Sequence, residues 1–507
     1  MPMKRLRWLL CFTLILPAGI TFGTMFPQNA PTPEEHFKDV RSLILRLLDK
    51  SPAPSVSVAA ARDSEIIWEE SFGWAEVEQK IEATPHTAYS LASISKPITA
   101  TGLMILVEKG LIDLDRPADD YLGDAKLTAY HGQAADATVQ RLLHHTAGLP
   151  THWHFFYQDD PYLRPTMDET IRRYAILTAP PGLVYNYSNL GYGILDYIIE
   201  RKSGLSYPEF MAREVFHPLG MHDSAVYTEP GPENRVAQRY TGKKRLPFYD
   251  FDHRGASAVY CSAHDLIRFG MFHLKNHLRD QKPILKDSTI EQMQTAVDPK
   301  VPDSNYKLGW ATYEEFGYRF VAHGGGMPGV STLLRLIPAE NLAVVVLTNG
   351  TGLNIDLIAK NMVGAMLPDY AEKVLSHKSP PRRTTNPKET PREFLGTWEG
   401  EITTHAGKFP IQLVFAPQAK VRCRLVGKKY ADMKPRIPLG RYSFEKDMFF
   451  AGFGIALPPE DMARDHHHIR LSLKRLGDTL VGDAAARSYQ GKFNLPSYIK
   501  LKKKSEK

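Results

Sequence analysis

The sequence predicts an α+β fold, an α/β sandwich in which helices flank an antiparallel sheet and an all-helical region is inserted, followed by a small C-terminal β-barrel. Two apolar alternating segments, near residues 56–68 and 333–347, indicate β-hairpins separated by about 250 residues. Mixed helical and loop patterns fill the interval, which suggests one sheet built from both ends of a domain. After residue 391, short β-type runs alternate with Gly, Pro and charged turns.

Length and composition define the class of protein. At about 100–200 residues per domain, a chain of 507 residues holds two or three domains. Hydrophobic residues make up 43% and charged residues 23%, which excludes overall disorder. The net charge of +7 is small for this length and partly concentrated at the two ends, so a nucleic-acid partner has little support.

The N-terminus has the pattern of a targeting segment. Lys4, Arg5 and Arg7 precede an apolar run over 8–20, and we expect residues 1–30 to be a secretory signal or an uncleaved signal anchor. No later segment has the ~18 consecutive apolar residues of a spanning helix. We therefore expect an exported protein, periplasmic or extracellular, with membrane attachment through this segment only.

The remaining boundaries follow from periodicity and composition. Apolar spacing predicts helices over 34–48 and 354–366, within a domain of residues 31–375. The polar, basic, Pro-rich segment 376–390 is interpreted as a linker, and 391–507 as a separable barrel that shapes access to a site elsewhere. Its predicted strands are 411–415, 421–426, 448–453, 469–473 and 498–501.

Cysteines and histidines give no sign of a metal or other cofactor. The three cysteines are far apart and lack CxxC spacing, and one Cys261–Cys423 bridge is left open. His466, His467 and His468 lack a defined fourth ligand and are interpreted as a solvated turn. We therefore predict neither a metal nor a cofactor.

The chemistry is predicted from Ser93 and Lys96, which form a Ser-x-x-Lys pattern. Pro97 is tolerated in a first helical turn, so the helix should begin near Ser93, with hydroxyl and amine on one face. A serine hydroxyl needs a base to become nucleophilic, and burial near a helix N-terminus lowers the pKa of a lysine accordingly. The bare pattern is common on surface helices, but the apolar residues that flank it here favour catalysis.

Two further segments supply context. In residues 181–192, Pro-Gly-Leu-Val-Tyr-Asn-Tyr-Ser-Asn-Leu-Gly-Tyr, Tyr187 and Asn189 lie in a loop just before an apolar helical run. In residues 321–326, Val-Ala-His-Gly-Gly-Gly, the end of a predicted strand becomes glycine-rich after His323. A glycine-rich strand end allows a substrate backbone to lie close against the chain.

These three pieces, in this order, resemble the serine β-lactamase and penicillin-binding protein superfamily. The similarity is closest to the branch of class C β-lactamases, D-alanyl-D-alanine carboxypeptidases and esterases, in which Tyr-x-Asn replaces Ser-Asp-Asn. It extends to residues 106–115, 142–150 and 308–310 and covers about 34–368. Residues 395–400 also resemble, less specifically, the opening of a lipocalin-like barrel appended to some members of that branch.

The resemblance implies a role for each matching position. It makes Ser93 the acylated nucleophile, Lys96 its proton-handling neighbour and Tyr187 the general base and acid. Asn189 would hold the substrate amide and Lys96. The backbone N–H groups of Ser93 and Gly326 would form the oxyanion hole, which stabilises developing negative charge.

The family's Lys-Thr-Gly element is His323-Gly324-Gly325 here. The change removes a permanent cation and a hydroxyl from the predicted substrate-binding set, so carboxylates should be held less firmly as His323 loses its proton near neutral pH. We therefore expect an exported serine hydrolase acting on an ester, a small peptide or amide, or a β-lactam. The alternative is a penicillin-binding sensor that is acylated without turnover, against which Tyr187 argues.

The sequence does not decide the role of two other groups, a histidine pair and an aromatic segment. His144 and His145 precede a Thr-Ala-Gly turn, and one of them is expected to make a structural hydrogen bond. The aromatic segment 153–157 either lines the mouth of the pocket or packs in the core.

Overall fold

The computed structural model describes residues 33–232, 235–302, 304–376, 389–418, 420–427 and 438–504. The predicted signal segment 1–30 and most of the predicted linker lie outside these ranges. The helices are α1 Pro33–His36, α2 Lys38–Asp49, α3 Ser95–Glu108, α4 Val139–Leu143, α5 Met167–Tyr174, α6 Asn189–Ser203, α7 Tyr207–Met211, α8 Arg254–Ser257, α9 Ala263–His273, α10 Asp287–Thr295, α11 Ile355–Met366, α12 Pro368–Ser376 and α13 Glu460–Ala463.

The strands fall into two groups along the chain. Those before the linker are β1 Ser55–Arg62, β2 Glu65–Glu76, β3 Ile81–Glu82, β4 Tyr89–Ser90, β5 Thr128–Ala129, β6 Trp153–Tyr157, β7 Ile176–Leu177, β8 Ala225–Val226, β9 Tyr240–Thr241, β10 Lys244–Arg245, β11 Tyr249–Phe251, β12 Val259–Cys261, β13 Ala311–Glu315, β14 Tyr318–Met327, β15 Val330–Ile337 and β16 Leu342–Thr348. Those after it are β17 Gly396–Thr404, β18 Gly407–Ala416, β19 Lys420–Leu425, β20 Pro438–Glu445, β21 Met448–Phe453, β22 His467–Leu476, β23 Thr479–Ser488 and β24 Phe493–Lys503.

The central sheet is built from both ends of the first domain, as predicted. Its order is β13-β14-β15-β16-β1-β2-β3, and β1 pairs antiparallel with β16 at Val58↔Val346. Helices α2 and α11 pack on one face, while α9 lies against the other. The predicted α+β fold class is confirmed, including both hairpins and the helix over 354–366.

The helix predicted over 34–48 is interrupted. Phe37 separates α1 from α2, and its backbone leaves the helical region with φ −97° and ψ 11°. Its buried ring stacks on Trp68 of β2, with the ring centroids 4.5 Å apart. Packing against the sheet therefore overrides helical periodicity at this position.

The C-terminal region is an antiparallel sheet curled into a half-barrel, in the order β19-β18-β17-β24-β23-β22-β21-β20. The five predicted strands are present, but β17, β20 and β23 were not predicted. Small residues hide two of them: β23 contains Gly482 and three alanines, and Gly400 in β17 lies directly against the backbone of Lys500. Such residues have low strand propensity and are selected here by close backbone approach.

The structure decides two further expectations, one on the cysteine bridge and one on His467. Cys261 and Cys423 are both buried free thiols, so the bridge left open by the sequence is absent between these two described residues. The interpretation of His467 as part of a solvated turn is wrong. It begins β22, is buried, and its Nε2 accepts a 2.8 Å hydrogen bond from the N–H of Leu457.

Candidate active site

Ser93 lies in a tight turn that packs against strands β14 and β15 of the central sheet. Residues Ala92–Ile94 form a 3₁₀ turn and α3 begins at Ser95, so the helix starts two residues later than predicted. Ala92, just before the nucleophile, has a left-handed φ of 48°, so no helix extends back beyond Ser93. A non-glycine residue held in this conformation next to the nucleophile is a strain that functional sites commonly store.

Lys96 is fully buried below Ser93, on the first turn of α3. Its Nζ lies 3.2 Å from Ser93 Oγ, 2.8 Å from Asn189 Oδ1 and 3.2 Å from the carbonyl oxygen of Ala256. Burial lowers the pKa of Lys96 well below its usual 10.5. The geometry and the pKa direction together suit an uncharged amine that accepts the serine proton.

Tyr187 and Asn189 are positioned by the start of α6. Ser188 caps the helix, because its Oγ accepts a hydrogen bond from the N–H of Gly191 at 3.3 Å. Tyr187 therefore sits just outside the helix, where its side chain is hydrogen-bonded to Ser93. Its ring centroid is 4.6 Å from the Nζ of Lys96. Burial raises the pKa of Tyr187 above its usual 10, with the Ser93 hydrogen bond opposing the rise.

His323 carries no positive charge in this site. Its Nδ1 lies 2.8 Å from the carbonyl oxygen of Gly324, which can only accept, so Nδ1 holds the proton. Its Nε2 lies 2.9 Å from the hydroxyl of Tyr306, and in a neutral imidazole with the proton on Nδ1 it is the acceptor of that contact. Burial lowers the pKa of His323 to about 3. The expectation that His323 titrates near neutral pH is therefore wrong.

The glycines after His323 differ in their surroundings. Gly325 pairs with Thr332 in the sheet and faces the turn before the nucleophile, where a Cβ would overlap the carbonyl oxygen of Leu91. Gly326 is open, with no heavy atom within 4 Å of where its Cβ would be. Gly325 thus fixes the nucleophile turn by close packing, while the oxyanion role of Gly326 stays a prediction.

A cavity of about 480 Å³ opens onto these groups. Three aromatic rings dominate its wall, and the lining residues are Tyr185, Tyr187, Tyr306, Ala311, His323 and Gly324. Tyr185 and Tyr306 were not identified from the sequence as site residues. Tyr306 stands two residues before the recognised segment 308–310, a proximity that could have indicated it.

His145 is a further residue of the site that the sequence only partly indicated. Its ring centroid lies 4.3 Å from that of Tyr187 and 4.6 Å from that of Tyr306. Its Nδ1 accepts a 3.1 Å hydrogen bond from the N–H of Ser188, and burial lowers its pKa well below 6.5. His144 bonds the carbonyl oxygen of Tyr306 at 3.3 Å, so both histidines make structural hydrogen bonds.

The aromatic segment 153–157 packs rather than lining the described cavity. It forms β6, which pairs with β11 on one side and β24 on the other. Phe155 and Phe156 within it are buried. The open choice between pocket mouth and core is settled in favour of packing.

Two groups of side chains have ligand atoms close enough to consider for a metal. Glu69, His86 and His264 form one, at the surface, while His152, Asp252 and His253 form the other, in the interior. In the interior group the carboxylate already takes hydrogen bonds from His152 at 2.9 Å and His253 at 2.6 Å. These direct contacts satisfy the carboxylate without an ion.

A serine, a buried lysine and a tyrosine lie together on this sheet-and-helix frame. The Beta-lactamase family model matches residues 40–365, and the chain belongs to that family.

Two proteins of known sequence and one solved structure are similar to this chain. Penicillin-binding protein 4* of Bacillus subtilis is 28% identical over 306 residues, covering 55% of this chain and 64% of that protein. Unguisins hydrolase ungD' of Aspergillus campestris is 27% identical over 332 residues, covering 62% of each. The chain therefore spans less than two thirds of these relatives' length. The crystal structure of SurE superposes with a TM-score of 0.62 at 22% identity, over 92% of this chain and 100% of that one, and shows the fold alone.

Proposed function

We propose that this enzyme hydrolyses uncharged esters or small amides through an acyl-enzyme on Ser93, in preference to substrates that carry a carboxylate. The observation that carries the proposal is the neutral His323, tied to Tyr306 and Gly324, at the position where the family has a lysine. A neutral imidazole whose ring nitrogens are both occupied offers no charge to a carboxylate.

The surroundings of the cavity support an apolar substrate. Tyr185 and Tyr306 give it aromatic walls, and Leu183 and Val184, which precede Tyr185 in the chain, are exposed apolar residues. Exposed apolar residues beside a cavity bind apolar groups by removing them from water. An acyl or alkoxy group without charge fits this lining.

The proton transfers follow from the pKa directions. Ser93 Oγ attacks the substrate carbonyl carbon, and its proton passes to the neutral amine of Lys96. The carbonyl oxygen takes the negative charge, and collapse of this intermediate breaks the bond to the leaving group. Tyr187, kept protonated by its raised pKa, donates a proton to the leaving oxygen or nitrogen and is reprotonated from Lys96.

Deacylation reverses these roles with water in place of the leaving group. The water gives its proton to the Tyr187–Lys96 pair and attacks the acyl carbon. The pair then returns a proton to the Ser93 oxygen as its bond to the acyl carbon breaks, so Ser93 leaves as the hydroxyl. Burial lowers the pKa of Lys96, which favours the amine form that can accept this proton. A sensor would not need such a pair, so the arrangement favours turnover.

The proposal also covers the location of the protein and its partners. We propose an exported protein, on the basic and apolar pattern of residues 1–30, with a small molecule or peptide as its substrate and no nucleic-acid partner. No helix in the described part of the chain has the length and apolar character that a membrane crossing requires.

The test is a substrate panel combined with active-site labelling. Wild type should be labelled by a fluorophosphonate and should turn over p-nitrophenyl acetate and D-amino acid amides faster than nitrocefin. Ser93→Ala should lose both labelling and turnover. Equal labelling of Ser93→Ala would refute the nucleophile, nitrocefin as the best substrate would refute the substrate class, and one burst without turnover would favour the sensor.

A further inference from the structure

The C-terminal sheet makes direct contact with the segment that precedes β6. Strand β24 pairs with β6 at Asn494↔Trp153, and the side-chain Nδ2 of Asn494 donates to the carbonyl oxygen of Thr151 at 2.7 Å. Next to this pair, the N–H of Phe155 donates to the carbonyl oxygen of Lys492 at 2.8 Å. The position of residues 151–155 therefore depends on the C-terminal sheet.

The same segment holds two groups of the active site. The hydroxyl of Thr151 donates to the carbonyl oxygen of Tyr187 at 2.9 Å. One residue along, the carbonyl oxygen of His152 accepts a 2.7 Å hydrogen bond from Asn189 Nδ2. Asn189 Oδ1 in turn contacts Lys96 at 2.8 Å, which completes a hydrogen-bonded path from the C-terminal sheet to the nucleophile's base.

The segment is also fixed from the interior. The imidazole of His152 is fully buried and its Nε2 lies 2.9 Å from a carboxylate oxygen of Asp252. Asp252 is held in turn by His253 at 2.6 Å. Residues 151–154 are thus held between a buried carboxylate on one side and Asn494 on the other. This restricts the Thr151 hydroxyl, which donates to the carbonyl of Tyr187, and the His152 carbonyl, which accepts from Asn189.

We propose that Thr151 and Asn494 are positioning residues for acyl transfer, through which the C-terminal sheet sets the placement of Tyr187 and Asn189. This inference rests on the proposed function of Ser93, Lys96 and Tyr187. A proton-transfer group must be held to within a fraction of an ångström, and rigid sheet pairing supplies that restraint. A displacement of about 1 Å can cost about 100-fold in rate.

The proposal differs from the expected role of the barrel as a separable wall around the pocket. A barrel that only shapes access to the pocket changes the turnover of large substrates and leaves that of small ones unchanged. A restraint on Tyr187 acts on the chemical steps, so it affects a small ester and a large one alike. The strand pairing between β24 and β6 favours the second behaviour.

The test uses the full-length protein and four single variants. Thr151→Val removes the hydroxyl at constant shape, and Thr151→Ser restores it. Asn494→Ala removes the donor on the C-terminal sheet. Tyr498→Phe is the matched control, because it deletes another hydrogen bond of the same sheet, 3.3 Å to His131, while its ring stays stacked on Tyr130.

The measurement is kcat per fluorophosphonate-labelled site, on p-nitrophenyl acetate and on a long-chain ester, so that loss of folded protein does not count as loss of rate. We expect Thr151→Val and Asn494→Ala to lower kcat about 10- to 100-fold on both esters, with KM changed less than about threefold. Thr151→Ser and Tyr498→Phe should stay within about threefold of wild type. The Thr151→Val/Asn494→Ala double variant should be no slower than the slower single variant, because both act on one path.

Values of kcat per labelled site within twofold of wild type for both Thr151→Val and Asn494→Ala would overturn the inference. A loss confined to the long-chain ester would also overturn it, in favour of the wall. Failure of the proposed function looks different, since turnover would then persist in Ser93→Ala whatever these variants do.

Discussion

The amine of Lys96 lies 3.2 Å from the hydroxyl of Ser93, and its other two hydrogen-bond partners are an amide oxygen and a backbone carbonyl. Neutral acceptors do not compensate a buried positive charge as a carboxylate would. Desolvation therefore dominates and favours the uncharged amine. The environment of Lys96 therefore favours a base beside the serine over a cation.

Replacing Lys96 should remove the base from acylation. We expect Lys96→Met to lower kcat/KM for p-nitrophenyl acetate by about 10²- to 10⁴-fold, the usual contribution of a positioned base. Steady-state kinetics on protein shown to be folded by circular dichroism measures this. Thr101→Val, on the same helix but hydrogen-bonded to His273 away from Ser93, is the control. Activity within threefold of wild type in Lys96→Met would exclude the amine as base.

The same lysine should make stability depend on pH. Its pKa is lower in the folded than in the unfolded protein, so the unfolded state binds more protons at neutral pH and the wild-type free energy of unfolding rises with pH up to about 10.5. Lys96→Met lacks this contribution. Its free energy of unfolding minus that of wild type should therefore decrease as pH rises from about 7 to about 10. Urea denaturation across that range tests the sign, and an increasing difference would contradict it.

Tyr187 should contribute most to the rate of the steps that transfer a proton to the leaving group or from the attacking water. Tyr187→Phe keeps the ring beside Lys96 and removes the hydroxyl that contacts Ser93. We expect about 10²- to 10⁴-fold slower turnover, with the acyl-enzyme accumulating if deacylation is the more affected step. Burst kinetics and intact-protein mass spectrometry distinguish the two steps. Tyr185→Phe, which alters a neighbouring wall residue, should turn over at a rate close to wild type.

The sequence was a good guide to the fold where apolar periodicity was strong. Both hairpins of the central sheet and the helix over 354–366 follow from alternation and spacing alone. The interruption at Phe37 could not be predicted in this way, because its cause is a ring stacked on Trp68 from a distant strand. Strand β23 was hidden by its small residues, which pack against neighbouring backbone.

Within the site, local motifs identified the residues but not their environment. Ser93, Lys96, Tyr187 and Asn189 are brought together as their motifs suggested. The neutral state of His323 depends on its contact with Tyr306 and on burial. Neither can be derived from the local His-Gly-Gly motif. The contact of Asn494 with Thr151 joins residues 343 positions apart, beyond the reach of any local pattern.

The two glycines after His323 should respond differently to an added methyl group. A Cβ at Gly325 would overlap the carbonyl oxygen of Leu91 and crowd Ala92, so Gly325→Ala should displace the nucleophile turn. We expect a loss of about 1–3 kcal/mol in the free energy of unfolding, together with loss of fluorophosphonate labelling. Gly326→Ala is the matched control, because its Cβ would meet no heavy atom within 4 Å. Equal stability of the two variants, measured by urea denaturation, would contradict the packing role of Gly325.

His323 should determine which charge the site accepts. Because its pKa is lowered to about 3, the imidazole stays neutral between about pH 5 and pH 8, and the wild-type preference for p-nitrophenyl acetate over nitrocefin should not follow a histidine titration there. His323→Lys would place a cation where the family has one. It should raise the ratio of kcat/KM for nitrocefin to that for the neutral ester by about tenfold, the equivalent of about 1.4 kcal/mol. His323→Gln, which adds no charge, controls for the lost imidazole and should leave the ratio close to wild type. If nitrocefin hydrolysis by wild type instead rises as pH falls from about 7.5 to about 5.5, His323 is titrating and the neutral assignment is wrong.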